Sequence, residues 1–123
     1  EISMIRRTLA TCALLMVCVS ANATRVMEQP ERPYELSLAQ LTLPSSATGG
    51  LTVKACEDCA YSTHLLTSAT TFYVNNQPLP YAEFSRVAGE IRGNRRENAF
   101  VAVFVDVASG RVTRIKLRDR DLQ

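Results

Sequence analysis

The chain has 123 residues, with 14 Lys and Arg against 12 Asp and Glu, a formal net charge of +2. That length allows one domain, and so balanced a charge gives no argument for a polyanion partner. With His64 as the single histidine and no tryptophan, a histidine-based dyad or a multi-histidine metal site within one chain has little material.

From Met4 the chain reads Met-Ile-Arg-Arg, then an apolar run from Leu9 to Val19, then Ser20-Ala21-Asn22-Ala23. A basic start, a short apolar run and a small-x-small site are the marks of a secretory signal. Residues 1–23 are therefore expected to be removed, with the mature chain beginning near Thr24 in the periplasm or outside the cell. Glu1, Ile2 and Ser3 precede the expected start at Met4. The apolar run is roughly a dozen residues, short of the ~20 a membrane helix needs. Leu15-Met16-Val17 before Cys18 lacks the small residue that lipid attachment wants there.

Residues 24–50 read as a partly disordered leader or linker. Pro30 and Pro33 block regular pairing, and the leucines at 36, 38, 41 and 43 fit a helix or an extended segment equally well. Pro44 to Gly50 reads as a flexible turn. The ordered domain is expected over residues 51–118, with 119–123 as a tail.

From Leu51 the pattern becomes β. Leu51, Val53 and Ala55 alternate with Thr52, Lys54 and Cys56; residues 60–68 are rich in Thr, Tyr and Leu; Thr70 to Asn75 makes a third strand closed by Asn75-Asn76, a pair that tolerates positive φ. Over residues 81–92 the period changes. Tyr81, Phe84, Val87, Ala88 and Ile91 form one helical stripe, with Pro80 before it and Gly93-Asn94 after it. Phe100 to Val107 is apolar on both faces and predicts a buried central strand. After a turn at Ala108-Ser109-Gly110, Thr113, Ile115 and Leu117 should face the core. Val112, Arg114, Lys116 and Arg118 should face solvent, as on a charged edge strand.

About five antiparallel strands with one short helix between the third and fourth give a mostly β, α+β fold. The expected architecture is a small OB-like, partly open barrel. The pattern Thr70-x-Phe72-x-Val74-Asn75, a short helix, a Val-rich strand and a final Thr-Arg-Ile arm resembles small exported bacterial β-proteins of uncharacterised function. The resemblance covers roughly residues 51–118 and implies no functional residue.

Cys12 and Cys18 leave with the signal, so Cys56 and Cys59 remain as an even pair in an oxidising compartment. A structural disulfide is the leading expectation there. A redox-active Cys-x-x-Cys is disfavoured because Glu57 and Asp58 lie between the sulfurs, and their charge raises a thiolate's pKa. Metal binding by Cys56, Cys59 and His64, with Asp58 as fourth ligand, lacks the second Cys/His pair usual in structural zinc sites. The absence of Cys-x-x-Cys-His excludes covalent haem attachment, and no cofactor is implied.

Arg92, Arg95 and Arg96 make a basic loop after the helix, and Arg114, Lys116 and Arg118 a basic stripe on the last strand. If they meet, they form an anion-binding surface; interspersed acids make an ordinary solvated face the competing reading. Nucleic acid is a poor partner for an exported protein, and Tyr61, Phe72 and Tyr73 read as core or half-buried rather than as stacking platforms. No nucleophile–base pair or tuned carboxylate pair stands out. Asp106, an acid in an apolar strand, is expected to accept backbone N–H groups of the following turn. The functional expectation is a small exported non-enzymatic accessory or binding module, partnered by an envelope protein or an anionic envelope component. The alternative is a thiol–disulfide or metal-handling protein using Cys56, Cys59 and His64.

Overall fold

The computed structural model describes residues 30–122. The expected signal and its cleavage site lie outside the described residues. Alternation in the last two long strands sets the frame. In β7 (Phe100–Asp106) Val101, Val103 and Val105 are buried, and in β8 (Val112–Arg118) Val112, Ile115 and Leu117 are buried. Five strands make the main sheet, in the order β1 (Glu31–Ser37), β7, β8, β5 (Thr71–Val74), β6 (Gln77–Leu79). A second sheet is antiparallel and three-stranded: β2 (Leu41–Thr42), β3 (Gly50–Val53), β4 (Ser62–Leu65). Two helices follow β6: α1 (Tyr81–Glu90) and α2 (Arg95–Asn98).

The fold is mostly β with an α component, as expected, but the barrel is corrected. Eight short strands lie in two sheets with no closed barrel among the described residues. The pairing is not all antiparallel, because β5 runs parallel to β8, with Phe72 opposite Ile115. Parallel neighbours need a long crossover. Here α1 and α2 carry the chain from β6 over the sheet to β7.

The domain boundary also differs from the expected start near Leu51. β1 pairs with β7 along its whole length, and Leu36, Leu38 and Leu41 are buried in the core. Pro33 is compatible with this because β1 is an edge strand, where one row of N–H groups has no ladder to join. Gln40 accepts from the Ser37 backbone N–H at 2.9 Å, fixing the corner between the sheets.

β8 is the middle strand of five, not an edge. The expected facing of Val112 is corrected by a bulge: Phe104 pairs with Arg114, but Val105 pairs with Val112. Thr113 is the extra residue. Its hydroxyl donates to the Phe104 carbonyl at 3.2 Å, so a group freed by the irregular ladder is satisfied. Val112 thereby turns inward. The Thr70 hydroxyl donates to its carbonyl at 2.7 Å.

All of this packs on one face of the main sheet. Leu51, Val53 and Leu66 come from the second sheet and its flank, and Phe84, Ala88 and Ile91 from the helical stripe. Phe72 lies against Tyr81 and Phe84, with ring centroids 5.0 and 5.2 Å away.

Candidate functional site

Because the core occupies one face of the main sheet, the alternate residues form the other. Antiparallel and parallel partners share a face, so the register assigns its rows. Pro33, Phe104, Arg114 and Thr71 lie side by side; Glu35, Ala102, Lys116, Tyr73 and Pro78 form the next row; Ser37, Phe100 and Arg118 the third. None of these residues is buried. No residue of the core lies among them, and Phe100 is 41% exposed.

Charge on this face is striped. Glu31 and Glu35 lie on β1; Arg114, Lys116 and Arg118 on β8; between them runs Phe100-x-Ala102-x-Phe104 on β7. Arg114 reaches over the Phe104 ring, 4.0 Å from its centroid, to pair with Glu31 at 3.2 Å. Lys116 lies 5.5 Å from the Tyr73 centroid. Glu35, Lys116 and Arg118 make no ion pair with a described residue. Beyond Arg118 the face ends in a cleft of about 800 Å³ lined by Asn76, Asn98, Phe100, Arg118 and Arg120, among others.

The two halves of the expected basic surface differ in how the fold engages their cations. Arg96 has its guanidinium committed to the fold: Nη1 donates to the carbonyls of Ala88 and Ile91 at 3.0 and 2.9 Å, and Nη2 to that of Leu38 at 3.5 Å. A cation on the last carbonyls of α1 satisfies acceptors that the helix leaves free. Arg95 pairs with Asp119 at 3.2 Å and approaches Asp121 at 3.7 Å. Arg92 donates to Gly89 O at 3.4 Å. The segment expected as a basic loop contains α2, which explains why its arginines turn back onto the chain.

Cys56 and Cys59 form a disulfide with Cα atoms 4.9 Å apart. In the β3–β4 ladder Val53 pairs with Ser62, and the same register carried into the loop places the two cysteines opposite each other at the hairpin tip. Cys59 N–H donates to Cys56 O at 3.2 Å, closing the turn. Cys56 is exposed and lines a shallow groove with Gln40, Lys54, Glu57 and Tyr61. His64 lies within the β4 ladder opposite Leu51, its ring 5.6 Å from that of Tyr34 and its Nδ1 3.4 Å from Gly110 O. With the sulfurs bonded to each other, neither is the thiolate that metal ligation needs. No group of three or more His, Cys, Asp or Glu side chains converges among the described residues.

Asp106 does what its position suggested. Its Oδ2 accepts from Ser109 N–H at 3.1 Å and from the Ser109 hydroxyl at 2.6 Å. The Ser109 hydroxyl, then the backbone bonds, hold its carboxyl below the usual aspartate range. A depression of 420 Å³ beside β5 and β6 is lined by Thr70, Phe72, Pro78, Tyr81 and other apolar or hydroxyl side chains, and holds no carboxylate, histidine or cysteine.

Phe100 and Phe104 were not singled out from the sequence, because Phe100 to Val107 reads as apolar on both faces, and neither was Glu35, which fell in the segment read as a leader. The signal was there in the partners. Phe100, Ala102 and Phe104 pair with Arg118, Lys116 and Arg114, so that face must be wet. Of the aromatics read as core or half-buried, Phe72 is buried, Tyr73 lies partly exposed on the open face, and Tyr61 is 70% exposed.

No helix among the described residues is long and apolar enough to cross a membrane. No protein-family model, no curated protein and no solved structure matches the chain.

Proposed function

We propose that the chain is a small exported, non-enzymatic binding or accessory module of the cell envelope, clamped by the Cys56–Cys59 disulfide and working through the open face of its five-stranded sheet. One observation carries this reading. Among the described residues, half-exposed Phe100 stands on a sheet face beside Arg118 and Lys116, which make no ion pair there, while the opposite face holds the core. Aromatic and cationic side chains in one patch are the composition of recognition surfaces. The acidic residues of β1 beside the basic residues of β8 favour a charge-striped protein partner over a long anionic chain, which Glu31 and Glu35 would repel. The compartment follows from the signal-like residues 1–23.

Hydroxyl-radical footprinting tests the reading, comparing dilute purified protein with concentrated protein and with dilute protein in an envelope extract. Loss of oxidation at Pro33, Tyr73, Phe100 and Phe104 is the expected result. Protection confined to other surfaces, or none at all, overturns it.

The thiol–disulfide alternative is favoured by one observation, the exposure of Cys56 beside its groove. A reduction potential well below the glutathione range assigns the bond to structure. A potential near those of catalytic oxidoreductases, or zinc in the intact mass after reduction, favours the alternative.

A further inference from the structure

The stripes on the open face have an order that constrains the partner. Reading across the sheet, acid (Glu31, Glu35), apolar (Phe100, Ala102, Phe104) and base (Arg114, Lys116, Arg118) follow one another on β1, β7 and β8. Acid and base lie about 10 Å apart, two strand spacings, on either side of an apolar centre line. Such a pattern is its own complement. A two-fold axis along β7, in the plane of contact, lays β1 of one copy over β8 of the other. Glu35 then faces Lys116 of the second copy, twice by symmetry, and Phe100 and Ala102 of β7 meet their own copies on the axis, while Phe104 is capped within each copy by Arg114, which Glu31 already pairs. Isologous contacts need this kind of self-complementary patch. An axis across the strands would set acid on acid and is excluded by repulsion.

We infer that the open face pairs with a second copy of this chain, through a two-fold contact along β7 in which Glu35 and Lys116 are reciprocal partners. This rests on the proposal that the face is the binding surface, and it names the occupant. Within one copy, Glu35 and Lys116 are held apart by Ala102 and form no ion pair. The contact gives each a partner it otherwise lacks. The patch measures roughly 20 Å by 20 Å from strand spacing and rise, about half of the ~800 Å² per partner of a standard interface. The pairing therefore falls in the weak, transient class, and it loosens with salt.

Sedimentation velocity from about 1 to 500 µM, where association of micromolar affinity shows, tests it on four samples: wild type, Glu35→Lys, Lys116→Glu, and an equimolar mixture of the two variants. Wild type is expected to pass from monomer to dimer. Each variant alone sets like charges opposite each other and stays monomeric at concentrations where wild type is dimeric. The mixture restores both contacts and dimerises, with an affinity within a few-fold of wild type. A melting curve matching wild type shows that each variant folds, and rescue in the mixture needs folded partners in any case. Wild type monomeric throughout, single variants that dimerise normally, or a mixture that stays monomeric each overturn the pairing. If wild type is monomeric while envelope extract still protects Phe100 and Phe104 from radicals, the face binds another protein or an anionic component; the self-pairing falls and the binding reading stands. If neither occurs, both fall.

Discussion

Arg96 and Arg92 stand four residues apart and carry the same charge, yet the chain uses them differently. The Arg96 guanidinium donates to three main-chain carbonyls from two elements; Arg92 is exposed, with one long contact to Gly89 O. Charged hydrogen bonds to half-buried acceptors are worth more than the neutral average. Arg96→Ala is therefore expected to destabilise the fold by about 2 kcal/mol, and Arg92→Ala by less than about 0.5 kcal/mol, as read from denaturant midpoints at constant m-value. Equal effects would mean that Arg96 is only a surface charge. The sequence showed a cluster of arginines but could not show which carbonyls they would meet, since Leu38 lies 58 positions away. Asp106 was legible because its partners are local: a carboxylate three residues before Ser109 makes the same turn in most contexts.

Local periodicity decided the elements that came out as expected. The stripe Phe84, Ala88, Ile91 is buried, and the hairpins closed by Asn75-Asn76 and Gly110 take the positive φ angles those residues allow. Gly89 sits exposed in α1, and a Cβ there would meet nothing within 4 Å. Gly89→Ala is expected to stabilise the protein by about 0.5–1 kcal/mol, seen as a raised thermal midpoint; no rise would show that the helix end frays before the fold opens. The β3–β4 tip is the other local device. Closing so short a loop removes little unfolded-state entropy, so Cys56→Ser with Cys59→Ser should cost about 1–2 kcal/mol and leave the circular dichroism unchanged. Complete unfolding would make the disulfide a condition of folding. Two elements were misread for physical reasons. β1 hid behind Pro33, which an interior strand would exclude and an edge strand tolerates. β8 broke its alternation at Thr113, where a bulge turns Val112 inward.

At the scale of the molecule, the missing information was long-range pairing. Nothing in a local pattern says that β5 lies beside β8 in parallel, or that β1 covers the outer edge of β7. Those pairings make two sheets instead of a barrel, and they leave one sheet face outside the core. The charged half of that face was visible as Arg114, Lys116 and Arg118; the apolar half was assigned to the interior because the face it belonged to depended on its neighbours. On the proposed reading, this face serves recognition and not stability. Replacing Phe100, Lys116 and Arg118 together by Ser, then measuring footprint protection in concentrated protein and in envelope extract beside the denaturant midpoint, separates the two roles. A midpoint within about 1.5 kcal/mol of wild type, up to ~0.5 for each surface change, and loss of protection at Pro33, Tyr73 and Phe104 are expected. Protection that survives the triple substitution, or a fold that collapses with it, would show that the face does not serve recognition in this way.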